Sequence, residues 1–417
     1  MRQIIKTVVL LTPFLFISCG DSLNKATIQK VEGGELLVNF PASAIKSSLL
    51  EKGLIEENQT VYGYKAYKVP YTTTDEEGNE VKASGLFVIP TGLPDVVTST
   101  LGLSMVADDH GTIFGNSEAP SVIADTTGAP VGASILLTSL GGFATLQPDY
   151  IGFGDSLDHY HPFVLKDSLA NSTVDFIKEV KIFSEHNNIK LNSQLFLTGY
   201  SEGGYASMAT LKKIEDEQLS DLSVTMTAPM AGPYALKLMA DGVFSQPKLT
   251  VPSFMANVAY AYAKTNDQEI ETIINTPYAS KLSTLFNGAL LRADIDSQLT
   301  YNTTGATGLF SQDFTIDYFQ NENNWFKMSV IENSLHAWSP SSSVRLVHCE
   351  GDDVIPYMIS ELTQGTMTQL GASDVTLVPV EKILGLKSQV GHADCGSLAY
   401  KVATKMFAES RKQTIGY

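Results

Sequence analysis

The sequence predicts an α/β protein whose mainly parallel central sheet is covered by helices on both faces. Short β-rich runs alternate with stretches of helical periodicity between residues 61 and 217, and the same alternation returns between 344 and 410. Parallel strands need crossover connections, and a sheet built from them is buried on both faces. The chain has 417 residues, of which 43% are hydrophobic, so it is large enough to bury such a core.

The first α/β portion opens with two β-rich runs joined by turn residues, which predicts a hairpin. Later strands are short apolar runs, and the helices are recognised by apolar residues at helical spacing. In chain order the predicted elements are strands at 61–71, 81–90, 101–107 and 143–147, a helix at 165–187, a strand at 194–198 and a helix at 203–217.

The second portion repeats the alternation, with strands at 344–348 and 375–380 and helices at 357–370 and 397–410. Between the portions the pattern is helical without a convincing strand, with helices predicted at 253–264, 269–274 and 280–291. We therefore predict one sheet domain, residues 59–234 and 340–417, interrupted by a helical cap at 235–339. Residues 19–58 are predicted to be a tether, in which 36–40 docks as a first strand or helix.

The N-terminus has the charge order of an export signal. Arg2 and Lys6 precede an apolar run at 7–17 that is too short to span a bilayer. Ser18 stands directly before Cys19, as at a bacterial lipoprotein cleavage site, so residues 1–18 are predicted to be removed and Cys19 to be lipidated. The alternative is a plain signal peptide with an incidental cysteine. Either way we expect an exported protein, lipid-anchored in a cell envelope or secreted.

Charge and motifs exclude several partners. With 45 acidic and 28 basic side chains the net charge is -17, which argues against a nucleic-acid partner. The sequence has neither a Walker motif nor a Gly-x-Gly-x-x-Gly fingerprint, so no nucleotide cofactor is indicated. His159 and His161 could ligate a metal, but no further ligand spacing supports a zinc site and a structural role is favoured. Any membrane contact is expected only through the N-terminal lipid.

The candidate nucleophile is Ser201, in the sequence Gly199-Tyr200-Ser201-Glu202-Gly203-Gly204. This Gly-x-Ser-x-Gly motif follows a predicted strand and opens a predicted helix, which is the setting of a nucleophile elbow. The glycines remove the Cβ atoms that would clash in so sharp a turn. The helix also directs free N–H groups and its positive end toward charge that develops nearby.

A serine hydroxyl needs a base, and the base needs a carboxylate to orient it. In this type of fold the chain order is serine, acid, histidine. Of the histidines after Ser201, His392 is the candidate because it follows the last predicted strand. The acid should follow the strand that ends at His348, where Asp352 is favoured and Asp353 is the rival.

An oxyanion hole is the third requirement of acyl transfer. One donor should be the backbone N–H of Glu202, the residue after the nucleophile. The other should come from the loop after the third strand, which reads Asp109-His110-Gly111-Thr112. We favour Thr112, with Gly111 second; a surface loop without this role is the competing interpretation.

From Tyr62 to the C-terminus the chain resembles the secretory lipases of the α/β-hydrolase fold, of the lipase A type. The resemblance rests on segments in the same order, namely 83–90, His110-Gly111-Thr112, Ala119-Pro120-Ser121, 148–154, His161-Pro162-Phe163 and 199–204. It departs at Cys349, where the family has glycine after the histidine of its acid motif. The resemblance implies hydrolysis of carboxylic esters, with the helical insertion as a cap over the acyl site.

Two further groups of residues have a predicted role. Cys349 lies just before the acid loop and Cys395 three residues after His392, so a disulfide between them would tie the two loops together. Export would favour its persistence. Phe254, Tyr260 and Tyr262 could line an acyl pocket, although residues at helical spacing are more often plain packing.

The function predicted from the sequence is a serine carboxylic-ester hydrolase, an esterase or lipase, that acts through an acyl-enzyme. A serine peptidase would use the same three residues. A binding lipoprotein that kept the fold without the chemistry is the alternative from another class, although it has no physical need for serine, acid, histidine and elbow glycines together.

Overall fold

The computed structural model describes residues 29–127 and 132–417, which form one ten-stranded sheet with helices on both sides. The predicted signal peptide, 1–18, and the predicted lipidation site, Cys19, lie outside the described residues. Within the described ranges, no helix has both the length and the apolar character needed to cross a membrane.

The strands of the sheet run from near the described N-terminus to the last quarter of the chain. They are β1 (Gln29–Val31), β2 (Gly34–Phe40), β3 (Gly63–Thr74), β4 (Glu80–Thr91), β5 (Leu103–Asp109), β6 (Ala144–Pro148), β7 (Leu191–Tyr200), β8 (Val224–Met230), β9 (Val344–His348) and β10 (Val375–Pro379).

The α-helices are concentrated after β4. They are α1 (Ala42–Glu51), α2 (Pro120–Thr127), α3 (Ile135–Ser139), α4 (Lys166–His186), α5 (Glu202–Asp216), α6 (Leu236–Phe244), α7 (Pro252–Thr265), α8 (Thr276–Ala279), α9 (Leu282–Leu285), α10 (Arg292–Asp296), α11 (Gln312–Gln320), α12 (Trp325–Glu332), α13 (Met358–Gln369), α14 (Val380–Leu384) and α15 (His392–Ile415).

The strand order is β1-β2-β3-β4-β6-β5-β7-β8-β9-β10. The pairs from β1 to β4, and β4 with β6, are antiparallel. Every pair from β6 to β10 is parallel. The carboxyl ends of the parallel strands therefore meet at one edge of the sheet, where ligands bind in open α/β sheets.

Two hydrophobic cores lie on opposite faces of the sheet, because successive side chains of a strand point to opposite sides. In β7, Leu197 belongs to the core that includes Phe176 of α4. Its neighbour Phe196 faces the other way and packs on Phe407 of α15, with ring centroids 4.7 Å apart. Burying a side chain of this size contributes about 2 kcal/mol.

The folded domain begins earlier than predicted. Residues 29–58, assigned from sequence to the tether, supply β1, β2 and α1. β2 pairs with β3, and its Leu37 and Val38 are buried together with Ile45 and Leu49 of α1. The single apolar patch noticed in the sequence is thus strand β2, docked on the hairpin edge of the sheet.

Other differences concern the middle of the chain. The central strand β8 was not predicted, because its sequence Val-Thr-Met-Thr-Ala-Pro-Met has no apolar run and contains Pro229, which is unfavourable within a sheet. The predicted helix at 280–291 is replaced by the short helix α9 and irregular structure, and 269–274 contains only a 3-10 turn. The closing helix begins at His392 rather than 397.

Residues 235–339, which we call the helical insertion, lie in sequence between the adjacent strands β8 and β9. They form α6 to α12 and contribute no strand to the sheet that the structure describes. Two isolated β-bridges, Lys248 with Asn302 and Ile274 with Phe310, lie within the insertion itself. The insertion is joined to the sheet domain by the continuous core on the α4 and α5 face.

A matched pair of glycine substitutions tests this packing. A Cβ at Gly85 in β4 would lie 2.5 Å from Cζ of Phe176, whereas Gly365 in α13 is exposed and has open space around it. Gly85→Ala is expected to destabilise the fold by about 2 kcal/mol through overpacking. Gly365→Ala is expected to stabilise it by roughly 0.5 to 1 kcal/mol because alanine favours helix. Denaturant unfolding measures both; equal shifts would contradict the packing described.

Candidate active site

Ser201 occupies a sharp turn between the carboxyl end of β7 and the start of α5. Its backbone has φ 62° and ψ -119°, a conformation that L-residues rarely adopt. The backbone N–H of Ser201 donates to the carbonyl of Met230 at 2.9 Å, which fastens the turn to the end of β8. Such strain persists only where the surroundings hold it, and it is common at functional sites.

The glycines after the serine let the helix approach the sheet. A Cβ at Gly203 would lie 1.9 Å from the carbonyl oxygen of Asp109, at the end of β5. A Cβ at Gly204 would lie 2.3 Å from the carbonyl oxygen of Met230. Both contacts are with backbone, so neither neighbour can move aside, and any larger residue would push α5 away from the strand ends.

A chain of hydrogen bonds connects three side chains from distant parts of the sequence. Nε2 of His392 is 2.9 Å from Oγ of Ser201, and Nδ1 of the same ring is 2.6 Å from Oδ2 of Asp352. The Asp352 side chain is fully buried, whereas 13% of the His392 side chain is exposed. The imidazole is thus oriented by a buried carboxylate and reaches the hydroxyl with its other nitrogen.

Asp352 is surrounded by donors. Oδ1 accepts from the backbone N–H groups of Val354 and Ile355, at 2.9 and 2.8 Å. Oδ2 also lies 3.2 Å from Nε2 of the buried His348. Burial alone would raise the pKa of Asp352, but the hydrogen bonds with His348 and His392 outweigh it and hold the pKa well below its usual range. The group is therefore ionised across the physiological range.

The rival acid, Asp353, has a different contact. Its Oδ1 accepts from the backbone N–H of His392 at 2.9 Å, and so it holds the start of α15 rather than the imidazole ring. The two carboxylates thus bind the same residue at different atoms, and Asp352 is the one within hydrogen-bond reach of the ring.

Two links join the loops that carry the acid and the base. Cys349 and Cys395 are joined by a disulfide. The buried carboxylate of Glu381 accepts from the backbone N–H groups of Glu350, Gly351 and Val390, at 2.8, 3.2 and 3.1 Å. Sequence reasoning considered the cysteines but missed Glu381, a single acidic residue in a short helix with no motif to mark it.

Tyr200, the residue before the nucleophile, also contacts the base. Its hydroxyl donates to the carbonyl of His392 at 2.7 Å, and its ring centroid is 4.9 Å from that of the imidazole. The tyrosine therefore packs against one face of the ring. The motif contained this residue, but the sequence offered no sign of the contact.

The predicted oxyanion donors lie beside the nucleophile. Thr112, Glu202 and Ser201 line the same cavity. Among residues 29–127 and 132–417, no protein acceptor is bonded to the backbone N–H of Thr112 or of Glu202. Gly111, the second choice, does not line this cavity. Two free N–H groups beside a hydroxyl are suited to hold an anionic oxygen.

His161, considered from sequence as a metal ligand or a structural residue, pairs with Glu202. Its Nε2 is 2.8 Å from Oε1 of Glu202, and its Nδ1 is 3.0 Å from the carbonyl oxygen of Ile151. Both side chains are buried. In the part of the chain that the structure describes, no cluster of three or more His, Cys, Asp or Glu side chains could hold a metal ion.

A largely apolar cavity of about 480 Å³ extends from Ser201 beneath the helical insertion. This volume lies within the range of small-molecule sites. Phe254 and Tyr262 line it, whereas Tyr260 does not and instead packs near Phe286 with ring centroids 5.8 Å apart. The other apolar lining residues come mainly from α6, α7 and the start of α13, among them Leu236, Met239, Val243, Met255, Val258, Ile355 and Ile359.

Solved structures share the fold of this chain. The esterase LipA from Xanthomonas oryzae, which degrades rice cell walls, is 22% identical with a TM-score of 0.76, over 94% of this chain and 98% of that one. A protein from Legionella pneumophila described as a hydrolase is 21% identical with a TM-score of 0.77, over 91% and 97%. Candida antarctica lipase A is 14% identical with a TM-score of 0.57, over 85% and 76%.

No curated protein matches the chain in sequence. The family model described as secretory lipase matches residues 131–387, which is more than half of the chain and includes Ser201 and Asp352. The predicted fold class is confirmed, since the neighbours are α/β-hydrolase esterases and lipases. The chain belongs to the secretory lipase family and is a serine ester hydrolase of the α/β-hydrolase fold.

Proposed function

We propose that the protein hydrolyses carboxylic esters through a covalent acyl-enzyme on Ser201. The observation that carries the proposal is the continuous hydrogen-bonded chain from Asp352 through His392 to Ser201. The free backbone N–H groups of Thr112 and Glu202 beside the hydroxyl support it. Together these groups supply the nucleophile, base, orienting acid and anion donors that acyl transfer requires.

In the first half of the reaction, Oγ of Ser201 attacks the ester carbonyl while its proton passes to Nε2 of His392. The carbonyl oxygen becomes an oxyanion, which accepts hydrogen bonds from the N–H groups of Thr112 and Glu202. Asp352 keeps the second ring proton on Nδ1 and stabilises the imidazolium. Collapse of the intermediate breaks the ester C–O bond, and His392 returns the proton to the departing alcohol.

In the second half, water attacks the acyl-serine carbonyl and gives a proton to His392. The same two N–H groups hold the second oxyanion. The carboxylic acid leaves when the bond to Ser201 Oγ breaks, and the proton on His392 returns to the serine. The ester, one water molecule and the side chains of the protein account for every bond and proton in this sequence.

The helical insertion is proposed to act as the cap of the acyl site. The cavity beneath it is lined mainly by apolar side chains, which suits the acyl portion of an ester rather than a polar peptide side chain. Ser201 lines the same cavity, so an acyl chain bound there can bring its carbonyl to the hydroxyl.

Export and lipid anchoring complete the proposal. The family is described as secretory, which fits an export signal in residues 1–18. Attachment to a bacterial membrane through lipidated Cys19 rests on the sequence alone. The ester substrate is then expected to be met outside the cytoplasm.

Replacing the nucleophile tests the proposal directly. Ser201→Ala is expected to lower kcat for p-nitrophenyl esters by roughly 10⁵-fold or more, since the attacking atom is gone. The assay compares esters from acetate to palmitate with a peptide-amide substrate. Amide turnover without ester preference would indicate a peptidase instead. Absence of any turnover by the wild-type protein would favour a binding lipoprotein, and an active Ser201→Ala would place the nucleophile elsewhere.

The two neighbouring aspartates provide a matched pair. Asp352→Asn is expected to lower kcat roughly 10³-fold, because the amide no longer enforces the correct imidazole tautomer. Asp353→Asn keeps an oxygen that can accept from the backbone N–H of His392, so its kcat is expected to fall less than about tenfold. Steady-state kinetics on one ester decide between them. A larger loss in Asp353→Asn would show that the acid is assigned to the wrong residue.

The cavity predicts chain-length preference. Val258→Trp places a large side chain in the acyl cavity and is expected to move the optimum toward shorter esters, mainly by raising KM for long chains. Tyr260→Trp, on the same helix but outside the cavity, is the control and should keep the wild-type optimum. The measurement is kcat/KM across the ester series; an unchanged optimum in Val258→Trp would mean that the acyl chain lies elsewhere.

A further inference from the structure

The buried pair formed by His161 and Glu202 lies directly beside the oxyanion site. Glu202 is the residue whose backbone N–H is proposed to hold the oxyanion, and its side chain is 1% exposed. A carboxylate there would place a negative charge close to the oxygen that becomes negative in the reaction. In a water-excluded site such a charge is weakly screened and would oppose the reaction.

The hydrogen bonds of His161 show how many protons the pair must hold. Both ring nitrogens face acceptors, Oε1 of Glu202 at 2.8 Å and the carbonyl oxygen of Ile151 at 3.0 Å. A neutral imidazole carries only one N–H. If Glu202 were ionised and the imidazole neutral, the lone pair of one ring nitrogen would point at an acceptor oxygen of Glu202 or Ile151. One additional proton, on the ring or on the carboxyl, removes that conflict.

The surroundings favour placing this proton on the ring. Glu202 is the first residue of α5, where the positive end of the helix stabilises a carboxylate. Its second oxygen, Oε2, is buried and has no hydrogen-bond partner among the described residues, so the helix end and the imidazole are the groups that offset its charge. Two titratable neighbours of the pair are uncharged at neutral pH and so do not act as its counter-ions. Burial raises the pKa of Asp109 well above its usual range, and burial lowers the pKa of His110.

The aromatic side chains packed around the pair carry no charge at neutral pH. They are Tyr150, Phe153 and Phe163 around the imidazole ring, and Tyr205 one turn along α5. Burial raises the pKa of Tyr150 and of Tyr205, so both phenols keep their protons. Of the acidic side chains that the structure describes, Glu202 is the one within hydrogen-bond distance of the His161 ring.

We propose that His161 is a positioning residue that is held as an imidazolium by Glu202. The imidazolium cancels the negative charge of Glu202 beside the developing oxyanion. It also fixes the start of α5, which carries the backbone N–H donor. This inference rests on the proposed function for its catalytic consequence. The protonation state of the ring does not depend on that function and can be measured by itself.

The kinetic test is a double-mutant cycle on ester hydrolysis. His161→Ala leaves the carboxylate uncompensated, and kcat is expected to fall roughly 10- to 100-fold with little change in KM. Adding Glu202→Gln removes the charge, so the double variant should be at least about fivefold faster than His161→Ala. A purely packing role would make the double variant equal to or slower than His161→Ala, which would overturn the proposal. His159→Ala is the control, since the His159 side chain is exposed and its Nδ1 is paired with the exposed Asp158.

The direct test is nitrogen-15 NMR of histidine-labelled protein, with His161→Ala to assign the signal. At pH 8, where an ordinary imidazole with a pKa of about 6.5 is neutral, His161 is expected to carry protons on both ring nitrogens. A singly protonated ring would overturn the proposal. Failure of Ser201→Ala to abolish ester turnover would instead overturn the proposed function and leave this spectrum unchanged, so the two failures are distinguishable.

Discussion

The strained, positive-φ backbone of Ser201 is the constraint on which the rest of the site depends. It turns the chain from β7 into α5 within one residue, and the turn fits only because Gly203 and Gly204 let the helix touch the ends of β5 and β8. The strain is opposed by a hydrogen bond to Met230 and by the burial of α5 against the sheet and α4. A position fixed this firmly gives the serine hydroxyl a defined place relative to groups that come from elsewhere in the chain.

The acid and the base depend on a second set of contacts. They come from loops after β9 and β10, on the other side of β8 from the nucleophile, and neither loop is held by strand pairing. A disulfide and the three backbone N–H groups bound by Glu381 join these loops to each other. The imidazole is then packed by Tyr200, which belongs to the nucleophile turn. The base is thus connected to both other parts of the site, to the acid loop by the disulfide and Glu381 and to the nucleophile turn by Tyr200.

A feature could be predicted from sequence when the residues that form it lie close together in the chain. The nucleophile turn is local, and its glycines and flanking elements mark it within six residues. The hairpin of β3 and β4 and the helices α4 and α5 are also determined by local pattern. Strand β8 is not determined by local pattern, because it is buried through its central position in the sheet. Pro229 also makes the segment look unlike a central strand. The roles of Glu381 and His161 were equally hidden, since Glu381 binds residues 30 and 31 positions before it and His161 pairs with a residue 41 positions after it.

Buried charge is distributed unevenly around this site. Burial raises the pKa of Asp108 to about 7 and of Asp149 to about 6, although hydroxyl and amide donors partly compensate. A carboxyl with a raised folded-state pKa adds stability that is complete below its unfolded pKa and is lost as the pH rises through the folded value. The contribution of Asp352 to stability depends on pH in the opposite direction, because its pKa is lowered on folding. This contribution is present above the unfolded-state pKa and is lost in acid, as the pH falls through the lowered folded-state pKa. Asp108 and Asp149 therefore stabilise the fold most at acidic pH, whereas Asp352 must be ionised to orient His392. The donors around Asp352 resolve this conflict, because they keep that carboxylate charged under conditions in which Asp108 and Asp149 are partly neutral.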